Sequence, residues 1–179
     1  MGVYLRAHIF PYDPKQPFQM DTNPYKLFDL LGDKQNGPYV VKSAVDYVAI
    51  GTIPDRGEIG GALTLFNPKT GKHEVYRYNI KGHSIIKLKF YDDYLYGGTS
   101  ISGGAQANHL GDEDGTLFIF DIESKQLVYV PVPIDEEKGI SGLTIDDEGY
   151  LWGLTAGKLF KFDLENTEVL ETKNLYPFE

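Results

Sequence analysis

Short runs of alternating apolar and polar residues recur along this chain, and they come in pairs. One run at residues 93–99 (DYLYGGT) is followed, after a polar loop, by a second at 115–121 (GTLFIFD). The same pair occurs upstream at 46–52 and 61–67, and downstream at 149–155 and 157–163. Alternation with a period of two is typical of strands that bury one face, so each run predicts a β-strand.

Each pair extends to a unit of four predicted strands. The first unit has strands at 39–43, 47–52, 62–67 and 73–79, the second at 84–90, 94–99, 116–121 and 126–132, and the third at 140–145, 150–155, 158–163 and 168–173. The turn between third and fourth strands begins with Asn67, Asp121 or Asp163, whose side chain can accept a hydrogen bond from its own turn. Four-strand units that repeat every 40 to 50 residues or so are typical of β-propeller blades.

The start of the chain predicts only part of a blade. Residues 2–13 favour two short strands, and 16–23 form a loop that contains proline. The run 25–31 (YKLFDLL) fits a strand or a helix; we predict a strand because the run is short and ends at Gly32. Gly37 and Pro38 predict a break. The predicted division is one propeller segment over 1–179, with a partial blade at 1–38 and blades at 39–80, 81–134 and 135–179.

The third unit resembles blades of known bacterial propellers. Its run 143–153 (LTIDDEGYLWG) is similar to the Asp-x-x-Gly-x-Leu-Trp motif of streptogramin-lyase-like and two-component-sensor propellers. Glycine-rich runs at 51–54, 60–63 and 97–104 resemble a propeller group found in large, often secreted, multidomain bacterial proteins. The resemblance implies the propeller fold and favours an extracellular location, but it implies no particular activity, because propellers host many unrelated functions.

The number of predicted blades is small for a ring. Propellers close with four to eight blades, and three blades with a partial fourth do not readily complete one. We therefore predict an incomplete or half propeller, which is either a fragment of a longer chain or a protomer that pairs with a second copy. A four-bladed ring that uses the N-terminal strands is the alternative.

Composition narrows the classes of partner. The 13% of aromatic residues, 20 Gly and 10 Pro favour an all-β chain. The formal net charge of -9 argues against binding to nucleic acid and to anionic membranes. The chain has no Cys, which excludes disulfides and thiolate metal sites, and no zinc spacing or phosphate-binding glycine motif is present. We expect no cofactor and no metal, and carbohydrate or protein as the partner.

The repeats differ in length at one place only. The strands stay constant, whereas the intervals 52–67, 99–121 and 155–163, which run from the second strand to the end of the third, differ widely. The extra residues therefore lie in loops that open on one face of a propeller, and insertions confined to one face usually mark a binding face.

The candidate site consists of polar side chains on these loops and on the link between the first two blades. They are Asp55, Arg56, Glu58, His83, Ser84, Gln106, Asn108 and His109. Such loops suit a polar ligand such as a sugar, although the segment 103–108 also fits a flexible loop with no ligand.

The acidic run 112–115 lacks the further ligands of a calcium loop and predicts a turn. Trp152 is expected to pack between sheets.

Two functions remain open from the sequence, beside a purely structural propeller piece with no ligand, in which none of the loop residues converge. The first is a binding or assembly module within a larger bacterial protein. The alternative is a polysaccharide or lactone lyase, in which His83 or His109 is the base and Arg56 neutralises a substrate carboxylate. The lyase requires an imidazole and Arg56 at one pocket near the channel mouth. Without that pocket, His83 is expected to hold backbone at the start of an inner strand.

Overall fold

The computed structural model describes residues 1–3, 6–77, 80, 82–102, 114–128 and 132–176. Every regular element in these ranges is a β-strand, which confirms the all-β prediction. Strands β1 (Gly2–Val3) and β2 (His8–Ile9) form a small antiparallel pair at the N-terminus. Among the residues that the structure describes, no helix has the length and hydrophobicity needed to span a membrane.

The remaining strands form three antiparallel sheets of the propeller-blade type, in the predicted order. The first sheet contains β3 (Gln35–Ser43), β4 (Val48–Pro54), β5 (Ala62–Asn67) and β6 (Lys72–Arg77). The second contains β7 (Ser84–Tyr91), β8 (Tyr94–Ser100), β9 (Thr116–Asp121) and β10 (Gln126–Leu127), and β11 (Val132–Pro133) also pairs with β9. The third contains β12 (Gly142–Ile145), β13 (Leu151–Leu154), β14 (Lys158–Asp163) and β15 (Glu168–Asn174).

The predicted turns after the third strands are confirmed in all three sheets. The side-chain Oδ1 of Asn67 accepts the backbone N–H of Lys69 at 2.9 Å. Oδ1 of Asp121 and Oδ1 of Asp163 each accept two backbone N–H groups of their own turns in the same way. These bonds end each third strand at the same point and fix where the fourth strand begins.

The second sheet is buried on both faces, because alternate side chains of β9 point to opposite neighbours. Phe118 and Phe120 belong to a core shared with the first sheet. Leu117 and Ile119 belong to a second core shared with the third sheet. The hydrophobic core therefore lies between the sheets, as stacked blades require.

Two glycines allow the sheets to approach closely at both of these contacts. A Cβ at Gly51 would lie 2.6 Å from Cγ2 of Ile85 in the second sheet. A Cβ at Gly98 would lie 2.8 Å from Cβ of Ile140, next to the third sheet. The residues at the start of each following sheet, Ile85 in β7 and Ile140 just before β12, thus rest directly on the second strand of the sheet before it.

The outward face of the third sheet has a different surface. Leu154 stands where the first two sheets have Gly51 and Gly98, and it is 38% exposed. Lys161 lies on the same face, with Nζ 3.7 Å from the ring centroid of Tyr150 and 5.5 Å from that of Trp152. Trp152 therefore does not pack between sheets as predicted, since no described sheet covers this face. Its Nε1 donates to Oδ2 of Asp146 at 2.7 Å.

The N-terminal segment covers the outward face of the first sheet. Phe28 packs on Phe66 at a centroid distance of 5.6 Å and stacks on His73 at 4.1 Å. The predicted strand at 25–31 is wrong: the only pairing that the structure describes there is an isolated bridge between Ile9 and Phe28. The apolar side chains of this segment are buried by an irregular backbone that lies across the sheet.

Candidate functional site

The long loops and the blade-to-blade links lie at the same end of the sheets. The N–H of Gly61, at the end of the β4–β5 loop, donates to the carbonyl of His83 at 3.0 Å. The N–H of Gly115, at the end of the β8–β9 loop, donates to the carbonyl of Glu137 at 2.5 Å. We call this end, formed by residues 55–61, 82–83, 114–115, 134–139 and 156–157, the loop end. It is the face on which the sequence predicts the site.

A threonine at the end of each second strand fixes the start of the third strand. Oγ1 of Thr99 accepts the N–H of Thr116 at 2.8 Å and donates to its carbonyl at 3.1 Å. Thr52 makes the same two bonds to Ala62, and Thr155 makes them to Lys158. The same two hydrogen bonds therefore join the end of the second strand to the start of the third in all three sheets, although the loops between these strands differ in length.

A third polar group meets this threonine in the first two sheets. Oγ1 of Thr52 lies 2.5 Å from Oε1 of Gln35, so its one proton is shared between that oxygen and the Ala62 carbonyl, and Oγ1 of Thr99 lies 3.0 Å from Nδ1 of His83. Gln35 and His83 precede their threonines by 17 and 16 residues, so they occupy equivalent places at the start of the first strand. The position of His83 is thus explained by the blade structure itself.

Glu137 occupies the corresponding place in the third sheet. Its carbonyl accepts the N–H of Gly115, as the carbonyl of His83 accepts that of Gly61. Its carboxylate is buried, and Oε2 accepts the N–H of Gly157 at 3.4 Å. Gln35 and Glu137 were not predicted as partners of His83, because an amide, an imidazole and a carboxylate share no residue type, and only their distance from the repeated threonine connects them.

His83 is enclosed by this arrangement. The residue is 2% exposed, and its ring contacts a cavity of about 10 Å³ whose other lining includes Leu63, Tyr76, Ile85 and Phe118. A volume of this size holds about one water molecule and no sugar ring. Ser84 beside it is also buried, and its hydroxyl has no hydrogen-bond partner among the described residues.

The three predicted residues of the β4–β5 loop have different surroundings. Oε1 of Glu58 accepts Nζ of Lys34 at 2.8 Å, and Oε2 lies 3.6 Å from Nη2 of Arg77. The hydrogen bond from Lys34 holds the pKa of the Glu58 carboxyl below its usual range. Oδ1 of Asp55 accepts the backbone N–H of Arg56 at 2.8 Å. The Arg56 side chain is exposed and forms no ion pair with the described carboxylates.

The rest of the predicted site falls on the β8–β9 loop. Gln106, Asn108 and His109 lie outside the described residues. At the edge of this loop, Nζ of Lys138 lies 3.8 Å from Oδ1 of Asp114, which joins the loop to the link that follows. In the described ranges, no three His, Asp or Glu side chains are grouped so that they could hold a metal ion.

Comparison with known proteins gives a fold and no family. No family model matches the chain, and no curated protein matches it. Solved structures do. The extracellular domain of a putative hybrid two-component system from B. thetaiotaomicron matches 96% of this chain with 13% identity and a TM-score of 0.55. The extracellular domain of a putative one-component system from the same organism matches 98% of this chain with 12% identity and a TM-score of 0.56.

A luciferin-regenerating enzyme is a third match, over 97% of this chain, with 16% identity and a TM-score of 0.60. The chain spans 20% and 21% of the two sensor domains and 57% of that enzyme. The likeness to sensor propellers that the sequence indicates is thus found again at the level of the fold. At these identities the chain shares a propeller-type fold with its neighbours, and that fold serves both sensors and an enzyme.

Proposed function

We propose that this chain is a binding and assembly module, a propeller segment of a larger extracellular bacterial protein that binds a carbohydrate or a protein at its loop end. One observation carries the proposal. The largest length differences between the three sheets lie in the loops from second to third strand, which run over 55–61, 101–115 and 155–157 and which the Gly61–His83 and Gly115–Glu137 bonds place beside the blade links. The opposite end has tight turns, and an Asn or Asp side chain closes four of those that the structure describes.

The loop end offers charged groups to a ligand. Arg56 extends an exposed guanidinium next to Asp55, and a guanidinium binds a carboxylate through two parallel hydrogen bonds. Glu58 is engaged by Lys34 and Arg77, so it supports the loop. A ligand with a carboxylate, such as an acidic sugar or an acidic peptide segment, fits this surface. The location outside the cell rests on the two sensor neighbours, which are extracellular domains.

The lyase remains the alternative, and the surroundings of His83 weigh against it. A general base must reach the proton that it removes, directly or through one water molecule. His83 is buried, with Nδ1 beside the Thr99 hydroxyl, and the cavity at its ring is too small for a substrate. The binding module needs only the exposed groups of the loop end, and it is therefore the better supported function.

Electrophoresis through gels that contain one polysaccharide each tests the proposal. Neutral glucans and xylans and an acidic polygalacturonate are compared, and a bound protein migrates more slowly. We expect retardation by the acidic polymer, weakened about fivefold or more in Arg56→Ala and unchanged in Lys72→Ala, which removes an exposed cation from the opposite end. Binding of a protein partner is tested separately with a library of acidic peptides. Equal binding by the two variants would refute the loop end as the site.

The lyase alternative and the pairing of two copies into one ring are each tested by a separate measurement. A lyase produces an unsaturated sugar, so rising ultraviolet absorbance with polygalacturonate, abolished in His83→Gln, would support the enzyme and overturn the module. Light scattering measures the solution mass. A dimer supports the pairing of two copies into one ring, and a mass of one chain at micromolar concentration contradicts that pairing.

A further inference from the structure

A second surface is built into the N-terminal segment, away from the loop end. Residues 11–25 fold into a loop that the side chain of Asn23 holds at its centre. Nδ2 of Asn23 lies 2.9, 3.1 and 3.1 Å from the carbonyls of Asp13, Gln16 and Pro17, so its two N–H groups serve three acceptors and one of the bonds is shared. Oδ1 of the same side chain accepts the N–H of Asp13 at 2.8 Å. One amide thus fixes three backbone positions of the loop.

The loop encloses a concave pocket of about 470 Å³, within the range of pockets that bind small molecules. Two tyrosines with exposed rings belong to its lining: Tyr12 is 40% exposed and Tyr25 is 48% exposed. Tyr12 also lies 6.5 Å from the ring of Phe18, centroid to centroid. An exposed tyrosine offers a flat apolar face at a low cost in side-chain entropy, which is why tyrosine is common in binding surfaces.

Three polar side chains with no hydrogen bond among the described residues lie in the same pocket as these rings. Gln16, Gln19 and Thr22 line the pocket, and their side chains form no hydrogen bond within the part of the chain that the structure describes. Their backbone groups, in contrast, are bonded within the loop. Amides and hydroxyls both donate and accept hydrogen bonds, as the hydroxyl groups of a sugar do.

We propose that this pocket binds a sugar residue of an oligosaccharide. The apolar face of the sugar ring packs on Tyr12 or Tyr25, and its hydroxyls bond to the side chains of Gln16, Gln19 and Thr22. Because Asn23 fixes the loop in the folded protein, little backbone order has to be created when the ligand binds. None of these residues belongs to the loop end, so the site is independent of the function proposed there.

A proline-rich peptide is the competing ligand for an aromatic surface. Such peptides fit grooves lined by parallel aromatic rings and need few side-chain hydrogen bonds. Here three neutral polar side chains surround the two tyrosines, and a sugar ring uses them better. The sugar is therefore the proposed ligand, and peptide binding is an outcome that would overturn the proposal.

A printed glycan array tests the proposal with the whole chain and with single-residue variants. We expect at least one glycan class to be bound, and titration calorimetry with the free oligosaccharide of that class to give its affinity. Tyr12→Ala and Tyr25→Ala should each weaken binding about tenfold, equivalent to about 1.4 kcal/mol. Gln16→Ala and Gln19→Ala should weaken it less. Tyr39→Ala is the matched control, because Tyr39 is 60% exposed on β3 and outside the pocket.

The outcomes separate this site from the loop end. Binding that is lost in the tyrosine variants and kept in Arg56→Ala supports the pocket, whatever the result at the loop end. Circular dichroism confirms that each variant keeps the β-sheet spectrum of the parent chain. The proposal is overturned if no glycan is bound, if Tyr39→Ala has the same effect as Tyr12→Ala, or if the pocket binds a proline-rich peptide and no sugar.

Discussion

Replacing Thr99 by valine tests the repeated threonine that starts each third strand. Valine keeps the shape of the side chain and removes only the hydroxyl. In the protein, that hydroxyl is fully buried and meets three groups: the N–H and carbonyl of Thr116 at 2.8 and 3.1 Å, and Nδ1 of His83 at 3.0 Å. Thr99→Val therefore takes this partner from a buried N–H, a buried carbonyl and a buried imidazole nitrogen, and the carbonyl is not counted in the cost because a carbonyl tolerates an unused lone pair better than an N–H tolerates having no acceptor.

The magnitude follows from the number of buried groups that lose this hydrogen bond. Each buried polar group that loses its partner costs about 1–3 kcal/mol. For two such groups, with some relaxation, we expect the free energy of unfolding to fall by about 2–4 kcal/mol in Thr99→Val. Thr155→Val should cost less, about 1–2 kcal/mol, because its hydroxyl, although buried, bonds only to the half-buried Lys158 and meets no third group among the described residues. Thr144→Val, on an exposed strand position, should stay within about 0.5 kcal/mol of the parent chain.

Urea unfolding measures all three variants. Circular dichroism follows the sheets and fluorescence follows Trp152, and the two curves should coincide if the stacked sheets unfold together. In a thermal scan, the loss in Thr99→Val corresponds to a fall of roughly 4–16 °C in Tm for a chain of this size. The reasoning is refuted if Thr99→Val costs no more than Thr155→Val, since the extra partner and the deeper burial would then contribute nothing.

Two further predictions concern the spacing between sheets and the thermal stability of the chain at low pH. Gly98→Ala should destabilise the chain by about 1–3 kcal/mol in urea, because its Cβ would lie 2.8 Å from Ile140, whereas Gly32→Ala meets nothing within 4 Å and should be neutral. Hydrogen bonds lower the pKa of the carboxyls of Glu74 and Asp146, mainly those from Lys125 and from Trp152. Their contribution is therefore present above the pKa values of the unfolded chain and is lost as pH falls, so Tm should drop between about pH 5 and pH 3; a constant Tm there would contradict this.

The interior strands could be predicted closely because two local signals agree. Strands β5, β9 and β14 begin and end at the predicted residues, since apolar alternation defines each strand and an Asn or Asp ends it. Where only one signal exists, the prediction is weaker. Strand β3 starts at Gln35 and continues through the Gly37–Pro38 pair that predicts a break, because register shifts on either side accommodate these residues. The predicted strand 126–132 is divided between β10 and β11.

The irregular parts of the molecule depend on contacts that the sequence does not show. Residues 25–31 bury Leu30 and pack Phe28 on Phe66 without a continuous strand, so their apolar pattern could not distinguish a strand from an irregular segment. The equivalence of Gln35, His83 and Glu137 appears only when their hydrogen bonds are compared. Residues 16–23 were correctly expected to form a loop, but the pocket around Asn23 depends on carbonyl positions that no residue pattern predicts.

The surface of the third sheet has a consequence for any larger ring. Within the chain, each contact between sheets places a branched side chain over a glycine of the preceding sheet: Ile85 of β7 over Gly51, and Ile140, just before β12, over Gly98. Leu154 fills the corresponding hollow with its own side chain, and Lys161 brings a charge to the same surface. A fourth sheet that arrived with the same spacing would collide with Leu154 and desolvate an ammonium group. In a ring completed through this face, the interface at Leu154 and Lys161 would therefore be wider and more hydrated than the other interfaces between sheets. We expect such a ring to open first at this interface when denaturant is added.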